Sequence, residues 1–278
     1  MAKKRRKGPI AQLEGYIRQN KKSAAVYFVL RGLILLVMVR AIFRQDYEAV
    51  FVCALSLLLL LAPAFVEHRL RIDLPTTFEI IVMVFIFAAE ILGELGEYYV
   101  RFPYWDTILH TTNGFLCAAV GFGLVDILNR AENVGLRLTP LYMAIASFCF
   151  SMTIGVLWEF FEFSADCLIH TDMQKDTVIR AVYSVALNPT GANKAVGIDP
   201  VTSVLVNGQD LGLGGYLDIG LYDTMEDLFV NFIGATVFSF IGYFYAKSGR
   251  QRKFAKRFIP TVANKVQTAS SAGAKKYD

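Results

Sequence analysis

Charged residues are scarce in this chain: they make up 19% of its 278 residues, where soluble domains carry about 25%. Cysteine is scarce as well. Cys53, Cys117, Cys149 and Cys167 form no CxxC pair and no zinc-ribbon spacing, which excludes a disulfide framework and a thiolate zinc site. The first three fall inside apolar stretches, where they are expected to pack as small apolar groups, and Cys167 has no evident partner. The chain has no HExxH, no Gly-Lys-Ser/Thr phosphate loop, no serine nucleophile elbow and no phosphatase-type arginine triad. Hydrolase and nucleotide chemistries that announce themselves in a short motif are therefore without a signature here.

What is abundant is apolar sequence. Hydrophobic residues make up 55% of the chain, with 22 Phe and 13 Tyr, and the mean hydropathy is +0.44. Six stretches approach the roughly 20 apolar residues that cross a bilayer: 24–43, 48–66, 77–98, 105–128, 138–165 and 222–246. No water is available at that depth to satisfy free amides, so each is expected to be a helix. Pro75, Pro103 and Pro140 fall at the edges of stretches or between them, and Pro63 is expected to kink the second. The chain thus reads as an all-α, polytopic membrane helical bundle of about six transmembrane helices. Residues 1–23 form a basic arm, 24–246 the membrane domain with one long external loop over 167–221, and 247–278 a basic tail expected to be disordered.

Lys and Arg set the orientation. With six spans both termini share a side, and that side carries 21 Lys or Arg against 5 on the other. Both termini are expected in the cytoplasm. Lys3 to Lys7 could open a signal peptide, but apolar sequence begins only near Ala24 and no A-x-A site closes the first span, so a retained arm is expected. The basic arm and tail are expected to rest on anionic lipid rather than to bind nucleic acid.

Ionisable residues within spans are costly, about 2.5–3.5 kcal/mol each on insertion scales, and here they follow a pattern. Glu90, Glu94 and Glu97 share a face of the third span, and Asp106 and His110 sit one turn apart at the start of the fourth. Glu159, Glu162 and Asp166 end the fifth, while Asp223, Glu226 and Asp227 open the sixth. Alternating helix directions bring all four groups to one level, in the outer half of the membrane, and the opposite halves are expected to hold little that compares. Crowded carboxylates repel unless they take up protons or share a cation. Arg101, with Arg40, is the nearest expected basic partner, so a divalent metal is the economical solution.

Helical bundles build such sites from Glu on some helices and Glu-x-x-His on others. The expected ligands are Asp106, His110, Glu159, Glu162, Asp223 and Asp227, numerous enough for two ions, with Glu159 and Glu162 as catalytic candidates. Glu90, Glu94, Asp166 and Asp218 are expected to support or line the site, while Glu97 and Glu226 face headgroups and water. Oxygen donors with one imidazole suit Mg, Mn, Fe or Zn. His68 and His170 read as solvated loop residues. In the external loop, 176–187 is expected to form a short amphipathic helix at the interface, and the loop is either a lid over the acids or a plain surface loop.

Three segments carry a resemblance: Asp106-x3-His110-x3-Gly114-Phe115, Trp158-Glu159-x2-Glu162-Phe163 and Asp223-Thr224-x2-Asp227. Together they resemble the bacterial inner-membrane YjdF-type family, a domain of unknown function, from about the third span onward. A weaker likeness links them to VanZ-type proteins. The resemblance implies a bacterial multi-pass protein and groups the six residues as one functional set, but it brings no known reaction. Three functions fit the residues. One is a metal-dependent enzyme acting on a lipid or isoprenoid-linked substrate, with membrane lipids as its partners. The second is a divalent-cation or proton transporter, and the third a non-catalytic scaffold or sensor. Neither substrate nor oligomeric state is legible.

Overall fold

The computed structural model describes residues 21–70, 72–130 and 137–262. Most of the basic arm, the last part of the tail and the side chain of His68 lie outside the described residues, as do the expectations attached to them.

Five helices among the described residues are long and apolar enough to cross a membrane. Helix α1 spans Lys21–Arg44. The second candidate is interrupted: α2 (Tyr47–Leu59) and α3 (Ala62–Leu70) meet at a turn over Leu60 and Leu61, with Pro63 in the first turn of α3. The remaining candidates are α6 (Trp105–Arg130), α7 (Pro140–Ile169) and α8 (Leu221–Lys247). The third apolar stretch differs from expectation in its form. It runs as α4 (Thr76–Phe87) and continues directly as a π-helix, Ala88–Leu95. The two pieces together reach bilayer length, but the helix ends before Tyr98. The chain then turns through Glu97, at φ 57°, into the single turn α5 (Tyr98–Arg101).

Two packed regions build the molecule. Helices α6, α7 and α8 pack on one another around Leu116, Ala118, Phe122, Met143, Ala235 and Phe238. Helices α1, α2, α4 and the π-helix enclose a second cluster of Leu30, Ile34, Cys53, Leu60, Met83 and Ile91. Outward faces carry Phe28, Leu36, Phe51, Phe160, Phe229 and Phe240, as lipid contact requires. Between lipid-solvated helices apolar burial adds little, so close backbone approach and interhelical hydrogen bonds hold the bundle. Gly114 lies against the Asn231 carbonyl and Gly234 against the Thr111 carbonyl, with no room for a Cβ at either. Ser147 and Ser151 donate to the Ala118 and Gly114 carbonyls at 2.6 and 2.7 Å. Cys53 is buried, as expected of a small apolar group, whereas Cys149 points outward.

The connection between α7 and α8 holds no helix over 176–187. Val178–Ile179 (β2) and Val182–Ser184 (β3) are strands, and only Val185–Leu187 makes a 3-10 turn. β3 pairs with Val196–Ile198 (β4), Leu205–Val206 (β5) with Gln209–Asp210 (β6), and β2 with Tyr216–Leu217 (β7). β-branched residues favour this pleated pairing over an interfacial helix. Gly197 helps by leaving space for the Tyr183 ring, which a Cβ there would strike.

The start of the tail is also more ordered than expected. After α8 the chain turns back, forms a 3-10 turn over Ala255–Arg257, and buries Ala255, Phe258 and Ile259. Thr261–Val262 (β8) then pairs antiparallel to Ile72–Asp73 (β1).

Candidate functional site

The start of α6, the end of α7 and the start of α8 meet at one end of the bundle. Asp106 and His110 descend α6 one turn apart, Glu159 and Glu162 share a face of α7, and Asp223 and Asp227 share a face of α8. These i, i+3 and i, i+4 spacings point each pair the same way. His110, Glu159, Glu162 and Asp227 each offer a ligand atom within 4.8 Å of the others, and all four are buried. Asp106, Asp223 and Asp227 form a second such group. Asp227 belongs to both, so the six residues singled out in the sequence fall into two adjoining groups with one shared carboxylate.

His110 sits at the centre. Its Nε2 lies 3.6 Å from Asp106 Oδ1 and 3.6 Å from Asp227 Oδ2, and its Nδ1 lies 3.9 Å from Glu159 Oε1. These separations exceed hydrogen-bond length. Glu159, Glu162 and Asp227 retain 4%, 7% and 3% of their exposure, yet Glu159 Oε2, Glu162 Oε2 and Asp227 Oδ2 have no hydrogen-bond partner. Buried carboxylate oxygens are normally satisfied, and leaving one bare costs about 1–3 kcal/mol or more for a charge. Buried carboxylates with bare oxygens, grouped with one imidazole so that a ligand atom of each lies within 4.8 Å of the others, match a cation site.

Surrounding groups orient the acids. Trp158 donates its indole N–H to Glu162 Oε1 at 2.8 Å. Gln174 and Thr224 face Glu159 as donors, and Gln174 Nε2 also donates to Thr224 Oγ1 at 2.5 Å. The Lys175 amide donates to Asp223 Oδ2 at 2.9 Å. Asp166 accepts from the Thr171 hydroxyl and from the Met173 and Gln174 amides, while Asp218 accepts from the Thr177 and Tyr222 amides. Both acids therefore pin the loop rather than the ligand groups. Together they hold the segment 171–177 against the cluster. Acids crowd this segment as well: the little burial it has, then Asp172, Asp218 and Asp166, raises the Asp176 carboxyl above its usual range.

Other expectations divide. Glu90 and Glu94 lie on the π-helix outside both ligand groups, with Glu94 within electrostatic reach of Lys175 and Asp106. Glu97 is exposed and pairs with Arg101 at 2.6 Å, and Glu226 and His170 are exposed. Arg101 is thus committed elsewhere, and the cation beside the cluster is Lys175 from the loop. Sequence reasoning missed Gln174, Lys175 and Thr224, and it missed Tyr99, which feels the charges of Asp106, Glu94, Glu90 and Glu162. Thr224 alone carried a signal, as part of the Asp223-Thr224 motif.

The opposite end of the bundle is not empty of charge, contrary to expectation. Asp126, on the last turns of α6, is buried at 2% exposure. It accepts from Arg250 Nε and Nη2 at 2.9 and 2.7 Å and from Arg130.

No curated protein and no solved structure matches this chain. The model of a family described as predicted membrane protein (DUF2238) matches residues 26–248, from α1 to just past the end of α8 and thus across the whole carboxylate–histidine cluster, so the chain belongs to that family of membrane proteins.

Proposed function

We propose that the chain is a metal-dependent membrane enzyme acting on a lipid or isoprenoid-linked substrate, with its site in the outer leaflet of a bacterial inner membrane and both termini cytoplasmic. The observation that carries the proposal is the pair of adjoining ligand groups around His110, joined by Asp227 and holding three buried, unpartnered carboxylate oxygens. Donor sets of this kind, oxygen-rich with one imidazole, favour Mg, Mn, Fe or Zn. A bound divalent ion would supply a water of lowered pKa as nucleophile. With His110, Glu159 and Asp227 holding the ion, Glu162, whose Oε1 is held by Trp158 and whose Oε2 is unpartnered, would serve as the proton acceptor. Gln174 and Thr224 keep Glu159 turned inward, and the segment 171–177 limits access of bulk water. Acyl or prenyl chains would lie along exposed Phe160, Phe163 and Phe229 near the site.

Transport is the weaker reading because α6, α7 and α8 carry no Asp, Glu, His, Lys or Arg between the cluster and the opposite end of the bundle. Some sixteen residues separate His110 from Asp126 on α6, about 24 Å at helical rise. Phe122, Met143 and Phe238 fill that interval with no exposed surface to speak of.

The test is turnover. Purified protein in liposomes of bacterial lipid extract, with prenyl phosphates added, should release water-soluble or shortened products with Mn or Zn present. Chelator and Glu162→Gln should each abolish release by at least 100-fold. Absence of any product, together with dye-detected metal uptake that Asp223→Asn abolishes, would replace the enzyme with a transporter.

A further inference from the structure

A second polar construction lies at the end of the bundle opposite the cluster. There the α6 terminus, the α8 terminus and the returning tail enclose an open cavity of about 520 Å³, lined by Arg130, Tyr245, Arg250, Lys256 and Thr261 among others. Its walls are fixed. Tyr245 is buried at 3% and Ile259 at 1%, Pro260 packs where Gly123 leaves space, and the β1–β8 pairing holds Thr261 opposite Asp73.

Three cations line this cavity. Asp126, beneath it, engages two of them: Arg250 through Nε and Nη2, and Arg130 through Nη2. A buried carboxylate of this kind orients guanidinium groups without cancelling both charges. Arg250 also follows the end of α8 and Arg130 ends α6, so both also offset helix C-terminal dipoles. Lys256 does neither of these things. It is exposed on the 3-10 turn, and no ion pair involves it among the described residues. Among the residues that line the cavity Arg130, Arg250 and Lys256 carry charge, and no Asp or Glu stands with them. Oriented guanidinium forks with an ammonium and a hydroxyl suit a tetrahedral oxyanion. The cavity also opens at the helix ends, where phosphodiesters of the bilayer are most concentrated.

We infer that this cavity binds a phosphate group, with Lys256 as its mobile arm and the Asp126-held arginines as its fixed base. An anionic phospholipid headgroup and a free phosphate share that chemistry, and the experiment separates them. Delipidated protein in neutral detergent is titrated with short-chain phosphatidylglycerol, with short-chain phosphatidylcholine and with inorganic phosphate, and adducts are counted by native mass spectrometry. Phosphatidylglycerol should be retained above phosphatidylcholine, and Lys256→Gln should weaken its retention about fivefold, as expected for one lysine near a lipid surface. Lys253→Gln removes the same charge outside the cavity and should change retention little. Saturation by inorganic phosphate, also weakened by Lys256→Gln, with no preference among lipids, would assign the site to a free anion. Equal losses in the two lysine variants, or equal retention of both lipids without phosphate binding, would overturn the inference. Both variants alter exposed lysines, so a melting temperature matching wild type keeps the comparison sound.

Discussion

At the scale of single residues, the unpartnered oxygens of Glu159, Glu162 and Asp227 are the informative feature, because a buried bare carboxylate is too costly to be incidental. Groups that orient such ligands matter nearly as much as the ligands. Thr224→Val should therefore weaken divalent-metal affinity by about 10–100-fold, as read by competition with a chromogenic chelator, while the protein stays folded. An unchanged affinity would mean that Glu159 needs no help from Thr224 and Gln174. The six ligand candidates were legible because helical spacing alone aligns Asp106 with His110, Glu159 with Glu162 and Asp223 with Asp227. Gln174 and Lys175 were not, since their partners Thr224 and Asp223 lie 50 and 48 residues away across a loop that no periodicity describes. Asp126 was overlooked although Arg130 follows it by one helical turn, because its other partner, Arg250, is 124 residues distant.

At the scale of elements, the α6–α8 contact decides whether the two ligand groups can adjoin. Gly114 and Gly234 let the backbones touch, one below His110 and the other below Asp227. Gly234→Ala should cost about 1–3 kcal/mol by overpacking and lower metal affinity along with stability, because it would push the Asp227 helix away from His110. Ser151→Ala removes one interhelical hydrogen bond and should cost less, about 0.6 kcal/mol. Unfolding in mixed micelles against a denaturing detergent measures both, and the reverse order would contradict this account of packing. Helix positions were readable from hydropathy and Pro63 signalled the interruption of the second stretch, whereas the π-helical continuation of the third and its end before Tyr98 escaped both. The expected helix over 176–187 failed because strand pairing between Val182 and Ile198, a tertiary matter, outweighs a weak amphipathic pattern.

Whole-molecule topology links the two ends. If positive charge sets orientation, the carboxylate–histidine cluster faces outward and the basic cavity faces the cytoplasm. In a chain with its native cysteines replaced, Asn188→Cys should react with an impermeant maleimide on intact cells, whereas Lys253→Cys should react only after permeabilisation. Labelling of both from outside would contradict the proposed topology. Between the ends α6, α7 and α8 carry no Asp, Glu, His, Lys or Arg, and Phe122 and Phe238 are fully buried there, so the charged groups of the two ends form no continuous path along these helices.

Metal content tests the central claim most directly. Wild-type protein purified without chelator, and its His110→Ala/Asp227→Asn variant, should be compared by elemental analysis after buffer exchange into metal-free solution. One or two equivalents of Mg, Mn, Fe or Zn per wild-type chain, falling below about a tenth of that in a folded variant, is the predicted result. Metal absent from the wild type even after reconstitution, or retained in full by the variant, would contradict the account.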